Sequence, residues 1–328
     1  MSRVLITTDY LHPGDEVDRY LRAHGHTTVH APSTGRRTPE HLTALLDGVE
    51  AALVANEPLT AEVLSRAHRL RVVVRTGVGH DSVDIAAAGR LGITVSNLPG
   101  INADAVAEYT MALLLATARG LVRSAAGVAA GAWPRQDGRE LRGSTLGLLG
   151  YGAAARAVVP LARAFGMRVL CTSGVPHALR TDPAVRFVDL PDLLAEADHL
   201  SVHTALTERT RGLLDAAALR RMKPTAVLVN TARGAIVDER ALADAVREGR
   251  LAGAALDVVN EEPLAADSPL RDVDGIVVLS HLAGQTAEAR ARTGRAGAAE
   301  LVAALDGHPR FPVNAHLLTR PRTAGAAG

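Results

Sequence analysis

The run Gly150-Tyr151-Gly152-Ala153-Ala154-Ala155 has the form G-x-G-x-x-A. Gly150 would permit a tight turn, and Gly152 would let the backbone approach a pyrophosphate. Ala155 would be small enough for a helix to pack on the strand before it. The backbone at Ala153 and Ala154 would open that helix, where amide donors and the positive dipole end favour phosphate. An Ala- and Gly-rich chain can produce such a run by chance. Its context gives it meaning: a strand-like stretch, Thr145–Leu149, comes before it and an apolar helical stretch, Ala157–Phe165, comes after it. Pro160 falls inside that helical stretch and should kink it.

A dinucleotide fingerprint normally ends in an acid about 20 residues on, which binds the ribose 2′-hydroxyl. Here the next strand runs Val169-Leu170-Cys171-Thr172-Ser173-Gly174 with no acid at its tip, and the first carboxylate nearby is Asp182. Without that carboxylate a 2′-phosphate is not repelled, and Ser173, His177 and Arg180 are in range to contact one. NADP is therefore favoured over NAD.

Other chemistries are excluded by composition. Cys171 is the only cysteine, so an intramolecular disulfide and a Cys-rich zinc site are impossible, and no metal is expected. Lys223 is the only lysine, which leaves a Schiff base a single candidate. A formal charge of +1 and an aromatic content of 2% lack both the basic footprint and the stacking rings of a nucleic-acid binder.

At 328 residues the chain exceeds one ordinary core, and two domains are expected. The opening Val4–Thr8 reads as a strand, not as a signal peptide. The longest apolar stretch, Ala105–Val122, is broken by Glu108 and Arg119, so no membrane span and a cytoplasmic location are expected. Short β-branched runs at Val4–Thr7, Ala51–Val54, Arg71–Val74 and Ile93–Val95 alternate with helical spacing at Asp15–Ala23, Pro39–Leu46 and Ala61–Ala67. That alternation predicts βαβ units and a parallel sheet. A long helical pattern covers Ala103–Ala130. Further strands are predicted at Met167–Cys171, Leu200–His203, Ala226–Asn230, Gly253–Leu256 and Ile276–Leu279.

Several ordered segments together resemble the D-isomer-specific 2-hydroxyacid dehydrogenases, a family that includes D-3-phosphoglycerate dehydrogenase, glyoxylate/hydroxypyruvate reductase and formate dehydrogenase. They are Arg75-Thr-Gly-Val-Gly-His-Asp-Ser-Val-Asp84, Asn97–Asn102, Ala105–Thr110, Asn230-Thr-Ala-Arg-Gly-Ala-Ile-Val-Asp238, Ala255–Pro263 and Ser280-His-Leu-Ala-Gly284. The resemblance covers nearly the whole chain. It implies an α/β fold of two doubly wound parallel-sheet domains. A Rossmann-type nucleotide domain, 99–288, would be inserted into a flavodoxin-like substrate domain made of 1–98 plus 289–328.

The resemblance also assigns roles. Arg233 would grip the substrate carboxylate and neighbouring carbonyl with its fork. His281 would be the acid/base, and Glu262, directly before Pro263, would pair with it and keep it protonated for reduction. Asp257 would hold the nicotinamide carboxamide. Thr231, Ala232, Arg233, His281 and Gly284 would join His203 and Thr204 at the cofactor, although the family usually has proline where this chain has Ala205. In the other domain, Arg75 and the amides of Gly77, Val78 and Gly79 would serve the substrate.

The expected activity is NAD(P)-dependent interconversion of a small 2-keto acid and the D-2-hydroxy acid. The rivals are a formate-dehydrogenase-like enzyme and a nucleotide-sensing corepressor-like protein. Formate dehydrogenases pair their histidine with Gln where this chain has Glu262. Met111, Leu113, Leu114, Leu115, Leu121, Val122 and Val128 do not fall on one stripe of the Ala103–Trp133 pattern. Since relatives dimerise through this region, a homodimer is expected.

Overall fold

A computed structural model describes residues 1–32, 37–174, 176, 180–318 and 322. The chain divides into two compact units, Met1–Asn102 with Ala287–Gly328, and Ala103–Thr286. The first crossing lies four residues later than the sequence boundary and the second two residues earlier, because helices begin at both points.

In the discontinuous unit, strands β1 (Arg3–Ile6), β2 (Thr27–His30), β3 (Ala51–Val54), β4 (Val72–Arg75) and β5 (Thr94–Ser96) alternate with helices α1 (Glu16–Ala23), α2 (Pro39–Leu45), α3 (Ala61–Arg66) and α4 (Ile85–Arg90). The order β2-β1-β3-β4-β5 is all parallel, the doubly wound order of flavodoxin. Successive strand residues enter opposite cores: Leu5, Ala52 and Val73 lie on one side, and Val4, Leu53 and Val74 on the other. Both faces are covered, as parallel sheets require. Asp15, Thr38, Thr60 and Asp84 each cap the helix that follows through a side-chain oxygen.

The continuous unit begins with α5 (Ala103–Ala118) and α6 (Leu121–Ala129). The single helix expected over Ala103–Ala130 is in fact two, bent by 64°, because Gly120 takes a left-handed φ of +60°. Next come β6 (Thr145–Leu149), α7 (Ala153–Ala164), β7 (Arg168–Thr172), β8 (Arg186–Phe187), α8 (Leu190–Glu196) and β9 (His199–Val202). The unit closes with α9 (Ala216–Leu219), β10 (Val227–Asn230), α10 (Glu239–Arg247), β11 (Gly253–Leu256) and β12 (Ile276–Val278). The last helix, α11 (Ala287–Leu305), returns to the first unit. The seven strands run β12-β11-β10-β9-β6-β7-β8, all parallel, with the order reversing at β6. That reversal is the Rossmann switch point.

Helix α7 starts four residues earlier than expected, directly after the glycine turn, and runs unbroken through Pro160, which is exposed. Strands β2 and β8 are sheet edges without an apolar run. No single helix among the described residues is long and apolar enough to cross a membrane.

Candidate active site

At the carboxyl end of β6, Gly150 adopts φ +106°, and a Cβ there would lie 2.7 Å from the His203 carbonyl carbon. Only glycine lets the turn pass this close to the end of β9. At Gly152 an added Cβ would meet nothing within 4 Å, so this side is open. Gly152 precedes the first turn of α7 without a side-chain cap, leaving the amides of Ala153 and Ala154 at an anion-binding helix start. Ala155 is fully buried against the sheet. A cavity of about 410 Å³ lies here, and Gly150, Gly152, Ser173, His203 and Thr204, all cofactor candidates from the sequence, are among the residues that line it. These features fit a dinucleotide pyrophosphate.

Tyr151 and Thr172 also line this cavity, and sequence reasoning passes over both. Tyr151 occupies the free position of the fingerprint, where residue type carries no signal. His203 Nε2 stands 2.9 Å from Ser201 Oγ, and loss of hydration pushes the imidazole down to about 4, so the ring is neutral at neutral pH. At the tip of β7, Arg180 Nη2 donates to the Ser173 carbonyl at 3.0 Å. His177 lies outside the described residues.

Three neighbouring strands bring the catalytic candidates to one sheet edge. Arg233 follows β10, Asp257 directly follows β11 and His281 follows β12, with β10-β11-β12 adjacent. The turn carrying Arg233 is held from below by Asn230, which is fully buried. Its Nδ2 donates to the Arg233 carbonyl at 2.9 Å and its Oδ1 accepts from the Ala232 amide at 3.0 Å. Asn230 enters the sequence reading only as a motif letter, yet an amide at a strand end directly before an Arg turn is a usable signal. Gly234 comes next because a Cβ there would fall 2.1 Å from the Val259 carbonyl carbon. The Arg233 turn therefore packs on the segment that leads to Glu262. Thr231 Oγ1 stands 3.4 Å from Thr110 Oγ1 on α5.

Glu262 Oε2 lies 2.8 Å from His281 Nδ1, and both side chains are partly exposed. The pairing orients the imidazole so that Nε2 is the nitrogen left for chemistry. His281 adopts φ +58°, unusual for a non-glycine residue. Asp257 stabilises that conformation: its carbonyl accepts the His281 amide, and its carboxylate accepts the amides of Leu282 and Ala283, at 2.8 and 2.9 Å. Gly284 follows directly.

In the other unit, Arg75 ends β4, is buried, and hydrogen-bonds Asn56 Oδ1. The Gly77 amide is already bonded to the Arg75 carbonyl at 2.8 Å. Of the three amides expected for the substrate, those of Val78 and Gly79 are left as the candidates. Asn97 Nδ2 braces this turn through the Val78 carbonyl at 2.7 Å.

The sequence matches the family described as D-isomer specific 2-hydroxyacid dehydrogenase, NAD binding domain, over residues 111–283. It is 43% identical over 259 residues to a glyoxylate reductase of Aeropyrum pernix, covering 76% of this chain and 77% of that one. It is 44% identical over 252 residues to an (S)-sulfolactate dehydrogenase of Chromohalobacter salexigens, covering 75% and 81%. A crystal structure of a Thermus thermophilus protein superposes with a TM-score of 0.85 at 38% identity, covering 95% of this chain and 99% of that one. With a dinucleotide fingerprint at the switch point, and an acid–imidazole pair after β11 and β12 of the same sheet, this chain belongs to the D-isomer-specific 2-hydroxyacid dehydrogenases.

Proposed function

We propose that this dehydrogenase reduces a small 2-keto acid, of the size of glyoxylate or hydroxypyruvate, to the D-2-hydroxy acid, with NADPH preferred over NADH. The observation that carries the reading is the 2.8 Å contact between Glu262 and His281, on the sheet edge that also presents Arg233. The nicotinamide, when bound against Asp257, Thr231, Ala232 and Gly284, supplies the hydride. The chain's own groups do the rest. Arg233 fixes the substrate carboxylate and carbonyl oxygen, which sets the geometry for attack on the keto carbon. His281 Nε2 gives its proton to the oxygen as negative charge develops there. Glu262, on Nδ1, holds the plane of the ring throughout. Arg75, Val78 and Gly79 serve the rest of the substrate.

The NADPH preference rests on Ser173 and Arg180 at the tip of β7, where an acid would otherwise repel the 2′-phosphate. Ser173→Asp should shift preference towards NADH. The enzyme is read as a homodimer, because Leu121, Val122 and Val128 of α6 are all exposed and no residue of that helix is buried within its own unit. A panel of 2-keto acids with NADH and NADPH tests the assignment. Turnover of a two- or three-carbon keto acid with NADPH is expected. Nucleotide binding without turnover of any keto acid would overturn it and favour a sensor.

A further inference from the structure

Strand β7 ends without an acid, yet a carboxylate is close by in the fold. Arg180 bonds the Ser173 carbonyl, so Asp182 is only two residues from a group that touches the strand tip. Tyr151, the free position of the glycine turn, engages that carboxylate. Its phenolic hydroxyl donates to Asp182 Oδ2 at 2.5 Å, while the Ala184 amide donates to Oδ1 at 2.8 Å. Both carboxylate oxygens are therefore turned onto the protein.

The tyrosine itself has little freedom. It is 7% exposed, its ring meets Phe187 edge-on at 5.0 Å, and the Arg156 guanidinium lies 5.9 Å from its centroid. The Arg180 guanidinium is in turn 5.9 Å from the Phe187 ring. Burial first, and the Asp182 bond and charge second, push the phenol up, so it remains a hydrogen-bond donor at any working pH. A phenol O–H bonded to a carboxylate is among the stronger neutral-to-ion hydrogen bonds.

We infer that Tyr151 is a positioning residue for cofactor choice: its hydroxyl locks Asp182 against the protein and keeps that carboxylate from the adenosine ribose. The inference rests on the reading of this cavity as the dinucleotide site with a 2′-phosphate preference. A carboxylate at the ribose accepts a hydrogen bond from a 2′-hydroxyl and repels a 2′-phosphate. While it is held by Tyr151, neither effect operates, and the Arg180 guanidinium stays beside Ser173 without a competing acid at the ribose. The dinucleotide fold normally codes this choice at the strand tip. Here the glycine turn itself would take part.

Direct binding of NADPH and NADH, followed by nicotinamide fluorescence, tests the lock without requiring turnover. Tyr151→Phe keeps the ring and its Phe187 contact and removes only the hydroxyl. The Kd ratio of NADH to NADPH should fall at least fivefold in Tyr151→Phe. It should return to the wild-type value in Tyr151→Phe/Asp182→Asn, because the freed charge is then absent. A purely structural role would weaken both cofactors together and leave the ratio unmoved. A ratio within twofold of wild type in Tyr151→Phe, or a double variant as low as the single, overturns the lock. A wild type that binds NADH more tightly overturns the NADPH reading instead; the lock is judged by the change in ratio, so the two failures are separable.

Discussion

Asp257 holds His281 in its left-handed conformation by accepting three consecutive amides, one on its carbonyl and two on its carboxylate. Asp257 is buried and His281 is partly exposed, so a group inside the protein fixes the backbone of one at the surface of the site. Each carboxylate oxygen keeps a second lone pair, which is compatible with a nicotinamide carboxamide as a further donor.

Asp257→Ala should therefore damage the enzyme in two ways. Two amides lose their acceptor, at a cost of about 2–3 kcal/mol, read as a shift in the urea midpoint. The histidine also loses its fixed backbone, and kcat should drop by about 10–100-fold, as expected for a misplaced catalytic group. Full activity in a destabilised variant would show that the turn holds without the carboxylate.

His281 and Arg233 should fail differently. His281→Gln should lower kcat by about 10²–10⁴-fold with cofactor Kd changed far less, because proton transfer is the main loss and the other cofactor contacts remain. Arg233→Lys should raise KM and lower kcat together, since an ammonium cannot reproduce the planar fork. Steady-state kinetics beside direct cofactor binding separates the two. Near-normal turnover in both variants would sink the assignment.

Acid stability should depend on Asp18, on α1. Burial alone would raise its carboxyl, but hydrogen bonds from Thr28, Arg22, the Gly14 amide and His30 outweigh it and hold the group well below the usual carboxylate range. A depressed folded value gives stability that is complete above the unfolded value of about 3.9 and is lost as pH falls through the folded one. Asp18→Asn should cost about 2 kcal/mol at pH 7, and the gap to wild type should begin to narrow below about pH 4 and vanish only as pH falls through the folded value. A gap independent of pH would mean that packing, not charge, is what the substitution removes.

The dimer can be tested on α6 without touching a core. Leu114 on α5 is fully buried, so an arginine there would unfold the unit whatever its assembly. Val122 is 47% exposed, and Val122→Arg should leave melting of the unit intact while sedimentation shows monomers. A wild type that sediments as a monomer at micromolar concentration would remove the homodimer altogether.

The order of elements and the glycine turn were legible in the sequence because each depends on local pattern, whereas the Arg233, Glu262 and His281 candidates came from the resemblance of the motifs around them to a known family. Alternating apolar runs define strands buried on both faces, and a G-x-G-x-x-A turn needs its own small residues. The break at Gly120 and the edge strands β2 and β8 were not legible. A lone glycine does not announce its φ, and an edge strand has only half a core to satisfy. Long-range pairing was equally hidden. That Asn230 braces the Arg233 turn, that Asp257 spends its carboxylate on the His281 loop, and that Tyr151 reaches Asp182 across 31 residues all depend on where side chains meet after the sheet is assembled. Sequence supplies the hydrogen-bonding groups in these contacts, and tertiary packing alone decides which groups meet.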